Sequence, residues 1–65
     1  MNKISNNSII SYIDVFLLPN IEHGKTANHF YNLKNRLING RKLTPKMIQN
    51  VGWIKEEIIK LGIPT

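Results

Sequence analysis

Met47, Val51, Ile54, Ile58 and Leu61 recur at intervals of four and three, and this run constrains the chain more than any other feature. At 3.6 residues per turn that spacing lays apolar side chains along one side of an α-helix. Thr44-Pro45 opens the run as an N-cap followed by proline at the first helical position, and Gly62 closes it with Pro64 just beyond. A helix so patterned must bury its stripe against other elements, and it anchors the expected fold.

Two further segments are available to meet it. Thr26 reads as the N-cap of a second helix that stops at Asn39-Gly40, where glycine takes the left-handed conformation. Within it Phe30, Leu33 and Leu37 form the buried stripe, with Ala27, Tyr31 and Ile38 at its edges. The first segment, Ile9 to Leu18, is ambiguous. Its Ile, Val, Tyr and Phe content favours a strand, yet Ile9, Ile13 and Phe16 also fall at helical intervals and no partner strand is in sight. Helix is the better reading, capped by Ser8 and stopped by Pro19, after a polar and frayed start from Met1 to Asn7. The expected fold is therefore all-α, a small three-helix bundle forming one domain over residues 1–65. At 65 residues there is room for one small core and little room for an enclosed active site.

Charge sets the expected partner. From Glu22 to Glu56 there is no acidic residue between, while Lys25, Lys34, Arg36, Arg41, Lys42, Lys46 and Lys55 all fall inside. The whole chain carries 9 Lys and Arg against 4 Asp and Glu, a net charge of +5, with a pI near 9.9. A surface of one sign attracts polyanions and speeds their arrival, which makes nucleic acid the leading partner. Asn, Ile and Lys have A/T-rich codons, so part of this bias is what an A/T-rich genome would supply. With no cysteine there is no disulfide or thiolate metal site, and a reducing, cytoplasmic setting follows more easily. The apolar run from Ile9 contains Asp14, ends at Pro19 and is too short to span a bilayer, so neither a signal peptide nor a membrane partner is expected.

Three constellations carry the binding expectation. The joint Gly40-Arg41-Lys42-Leu43-Thr44-Pro45-Lys46 concentrates three cations beside a helix N-terminus, a setting suited to phosphate. Leu43 would tie this loop to the core; the plain alternative is a solvated turn. Asn28, Asn32, Asn35 and Asn39 line one side of the second helix, flanked by Lys25 and Arg36, with His29 beside them. Such amides can meet phosphates, sugars or base edges, or simply face solvent. Trp53 lies off the main stripe, nearly in line with Lys46 and Lys60, as a stacking platform for single strands requires. Its alternative is packing, beneath the first helix, and Tyr12 and Tyr31 lean further toward packing.

A weaker apolar line at Ile48 and Ile59, with Gly52 between, offers a surface for the first helix or for a protein partner. Gly52 in mid-helix should cost about 1 kcal/mol relative to Ala. Catalysis is not expected. Asp14, Glu22, His23, His29, Glu56 and Glu57 match no triad, carboxylate pair or metal-ligand spacing, and no glycine-rich phosphate loop precedes a helix. No cofactor is implied. Lys46, Gln49 and Asn50 could read base edges in a helix-turn-helix, but with Gly40 as the turn glycine the small-residue position falls on Arg36, a poor fit.

From Phe30 onward, the pattern Phe30, Leu33, Leu37, Gly40 to Met47, Val51, Ile54 resembles short helical segments of phage replication and recombination proteins. It is similar in particular to the small helical units associated with the UvsW recombination helicase of T4-type phages. The resemblance covers about half the chain and implies a helical bundle that assists a helicase or recombinase by contacting single-stranded DNA through Arg41, Lys42 and Lys46. The expectation is thus a non-enzymatic binder of single-stranded or non-specific DNA, using Lys34, Arg36, Arg41, Lys42, Lys46, Trp53 and Lys60. The alternative is a module that binds a host or phage protein through Ile48, Gly52 and Ile59.

Overall fold

A computed structural model describes residues 4–22 and 24–62. Met1 to Lys3, His23 and Pro64, which entered the reading above as start, titratable group and stop signal, lie outside the described residues. The described chain is all helix and connecting turn, with no strand among the described residues. The elements are α1 (Asn6–Tyr12), a π-helical stretch (Ile13–Leu17), α2 (Leu18–Asn20), α3 (Lys25–Asn39) and α4 (Pro45–Leu61).

α1, the π-helical stretch and α2 follow one another without a break as a single helical arm, and its bounds correct the sequence reading. The N-cap is Ser5, whose hydroxyl accepts from the Ser8 backbone N–H; Ser8 itself is inside the helix and buried. Asn6 and Asn7, expected in a frayed start, form its first turn. The helical arm also runs past Pro19 to Asn20. In a regular α-helix a proline ring collides with the carbonyl four residues back. Here that carbonyl belongs to Val15, within the wider π-helical turn, which makes room for the ring. The same wider turn brings Leu17 round to the side of Ile13, and both are buried while Val15 is exposed.

α3 also starts differently from its sequence reading. Its N-cap is Gly24, at φ 147° and ψ −153° with no side-chain cap, so Thr26 sits in the first helical turn rather than before it. Its end is as expected: Gly40 is left-handed at φ 66°, and its N–H and that of Arg41 bond back to Leu37 and Arg36 carbonyls. α4 follows its sequence signals at both ends. The Thr44 hydroxyl accepts from Met47 N–H, Pro45 is the first helical residue, and Gly62 is left-handed at φ 67°.

One core joins the three long helical pieces. Ile9, Tyr12, Ile13 and Leu17 meet Phe30 and Leu33 of α3 and Met47, Ile54 and Ile58 of α4. Leu37, Leu43 and Val51 pack against this cluster, so Leu43 does hold the α3–α4 loop to the core. Leu61 departs from the expected stripe: it is 56 % exposed in the last turn of α4. Tyr31 and Ile38, expected at the edges of the α3 stripe, are largely exposed. No helix among the described residues is long and apolar enough to cross a membrane.

Candidate nucleic-acid interface

At about 100° per residue, Lys25, His29, Asn32, Arg36 and Asn39 fall along one side of α3. α4 reaches that side with its first two turns, and a depression opens on each flank. One, about 360 Å³, is lined by Asn32, Asn35, Arg36, Asn39, Arg41 and Met47. The other, about 410 Å³, is lined by Lys25, Thr26, His29, Phe30, Lys46 and Asn50. Met47 borders the first and its neighbour Lys46 the second, so the two lie on either flank of the same helical turn.

The first depression unites two features that the sequence presented separately. Asn32, Asn35 and Asn39 of the asparagine row face the same space as Arg41 of the basic turn. Asn28 is exposed but takes no part in the lining. Arg36 fixes the shape of the turn: its Nη1 donates to the Lys42 carbonyl at 2.7 Å. A guanidinium has further N–H groups beyond the one so used, and these remain to meet an oxyanion. Asn39 Nδ2 donates to the Asn35 carbonyl at 2.8 Å, which holds its amide against the helix. Arg41 and Lys42 are exposed. No carboxylate lines either depression.

The second depression has an aromatic floor. Phe30 is held in place by its own core contacts and is only 7 % exposed. Trp53 leans on it with ring centroids 6.4 Å apart, and His29 meets it edge-on at 5.7 Å. Trp53 thus packs against Phe30 of α3, yet 44 % of its surface remains exposed. His29 Nε2 and Asn50 Nδ2 form a short hydrogen bond that ties α3 to α4. The sequence reading missed this pairing; its trace was Lys46 and Asn50 spaced four apart on α4, opposite Lys25 and His29 spaced four apart on α3.

Other expected contacts are not brought together. Lys34 Nζ is 2.7 Å from Asp14 Oδ1, its side chain 16 % exposed, and it also lies 5.2 Å from the Tyr31 ring centre. It is therefore an internal partner of the first helical arm and adds little free positive charge. Lys60 is exposed in the last turn of α4; fourteen residues at 1.5 Å each separate it from Lys46 by about 21 Å. Ile48 and Ile59 are 58 % and 68 % exposed, and α1 does not cover them. Gly52 between them is open: a methyl group there would meet nothing within 4 Å. No group of three or more His, Asp or Glu suited to a metal ion occurs among the described residues.

Comparison with protein-family models, curated proteins and solved structures finds no match for this chain.

Proposed function

We propose that this chain is a small, non-enzymatic nucleic-acid-binding protein, built as a three-helix bundle and favouring single-stranded DNA over duplex. The observation that carries this reading is the depression in which three asparagine amides, Arg36 and Arg41 face one space with no carboxylate among them. Arginine forks and amides together suit a phosphodiester: the cations neutralise it and the amides serve its oxygens or the sugar. Lys42 and Lys46 extend the positive surface on either side of Leu43. The half-exposed Trp53 beside the second depression favours single strands, whose bases are free to stack. A cytoplasmic setting, and service to a phage helicase or recombination system, belong to the same proposal.

Salt dependence tests it. Three or four phosphate contacts on a single strand give a log–log slope of affinity against salt of roughly −2 to −3. Titration with labelled single-stranded and duplex oligonucleotides should return that slope, with tighter single-strand binding. Arg41→Ala should lower affinity several-fold and flatten the slope by about 0.7. Failure to bind either oligonucleotide at low salt refutes the reading.

A second reading has its own observation. Ile48 and Ile59 stand exposed on one side of α4 with the open Gly52 between them, a surface on which an apolar helix of a host or phage protein could lie. Binding there would vary little with ionic strength, because it removes apolar area from water rather than releasing counterions.

A further inference from the structure

The depression between Lys25 and Lys46 differs from its neighbour: it has an aromatic floor, two lysines and a fixed amide. Its volume of about 410 Å³ lies within the range of small-ligand sites, about 300 to 1,000 Å³. His29 and Phe30 line it edge to face, with Trp53 behind Phe30 outside the lining, and flat rings pack well on such a surface. Lys25 and Lys46 border it from opposite helices, one from the first turn of α3 and one from the first turn of α4.

The His29–Asn50 hydrogen bond gives the pocket a chemical preference. Asn50 Nδ2 is the donor in that bond and His29 Nε2 the acceptor. The other polar atom of the amide, Asn50 Oδ1, has no hydrogen-bond partner among the described residues. A carbonyl oxygen at the rim of an aromatic pocket takes an N–H donor and disfavours another carbonyl. At C6 of a purine or C4 of a pyrimidine, adenine and cytosine carry an amino group, whereas guanine, thymine and uracil carry a keto oxygen there and hold their donors at the neighbouring ring nitrogen or, in guanine, at C2. A carbonyl set opposite that carbon favours the first pair.

We propose that this depression is a nucleobase pocket that selects a base with an amino group at purine C6 or pyrimidine C4, adenine or cytosine, from a single strand whose phosphates lie against Lys25 and Lys46. The proposal rests on the nucleic-acid reading above and adds to it a base preference located at Asn50. It divides the surface into two parts with different tasks. The asparagine and arginine depression holds the backbone without regard to sequence, and the aromatic depression examines one base.

The test compares two strands that differ only in one base, at its C4 substituent and the adjacent ring nitrogen. Labelled thymidine tracts of about twelve nucleotides, within the span of known single-strand sites, carry one central deoxycytidine or one central deoxyuridine. The cytosine tract should bind about 3- to 10-fold more tightly, the worth of one net hydrogen bond. Asn50→Leu should erase that difference, bringing the two tracts to the same affinity. Asn50→Ala, which also removes the amide oxygen and suits a helix, should lose the cytosine preference too and replaces the leucine variant if that one does not fold. Lys25→Gln should weaken both tracts equally. Equal affinity of the original protein for the two tracts, or a preference that survives Asn50→Leu, overturns the pocket while leaving phosphate binding standing. Absence of binding to any tract at low salt removes the broader reading as well.

Discussion

Two cations two residues apart on α3 are committed to different partners. Lys34 turns to Asp14 on the first helical arm, at 2.7 Å, and Arg36 turns to the Lys42 carbonyl at the same distance. The first bond neutralises a charge, because its partner is a carboxylate; the second leaves the guanidinium charge whole, because its partner is a neutral carbonyl. Counting lysines and arginines along the sequence treats both alike. The distinction predicts that Asp14→Asn releases a cation near the asparagine row. Affinity for single-stranded oligonucleotides at low salt should then rise about twofold, while stability falls by less than about 1 kcal/mol, since the aspartate is half exposed. Anisotropy titration and denaturant melting of the same variant read the two effects separately.

Helices show where local signals suffice. α4 is fully specified by neighbours in sequence: Thr44 caps Met47 N–H, Pro45 occupies the first position, and Gly62 turns left-handed. Its bounds could be read directly. The first helical arm could not, because its geometry depends on a choice between two hydroxyls and on an unusual turn. Ser5 and Ser8 are both competent caps; Ser8 is drawn into the buried side next to Ile9, which leaves the capping to Ser5. Pro19 is a stop signal only when the preceding turn is α-helical, and here it is wider. The candidate site divides the same way. The asparagine row and the basic turn were visible as spacings, but their meeting across a loop, and the His29–Asn50 bond across 21 residues of chain, required the packing of α4 on α3. The glycines separate two roles at this scale. Gly52 lies inside α4 with open space beside it, so Gly52→Ala should stabilise the protein by about 1 kcal/mol. Gly40, at φ 66°, should tolerate alanine badly, losing about 1 to 2 kcal/mol. Opposite shifts in melting temperature check the pair, and unchanged oligonucleotide affinity in Gly52→Ala would disconnect that position from DNA.

At the scale of the whole molecule, the core depends on every long helical piece, and Tyr12 is part of it at 6 % exposure. Burial raises its hydroxyl pKa above the ordinary value of 10.0, and the nearby Glu57 carboxylate raises it further. A group with a raised pKa in the folded state contributes stability below its unfolded pKa and loses it as pH climbs through the folded one. The protein should therefore hold its stability up to about pH 10 and lose it above. Tyr12→Phe should flatten that alkaline loss, which chemical denaturation at about pH 8 and above about pH 10 would reveal.

Phe30 belongs both to the core and to the floor of the aromatic depression. Anything that stacks there rests on the same ring that holds α3 in the cluster with Ile13 and Ile54, with no intervening layer to absorb the contact. Occupancy and persistence of the fold are consequently one equilibrium: a ligand at a hundred times its Kd adds about 2.7 kcal/mol to the folded state. In a chain of this size a kilocalorie moves the melting point by roughly 4 to 8 °C. Under the proposed function the protein's own melting curve becomes a gauge of what sits on its surface, and a panel of unlabelled strands should be ranked by heat alone.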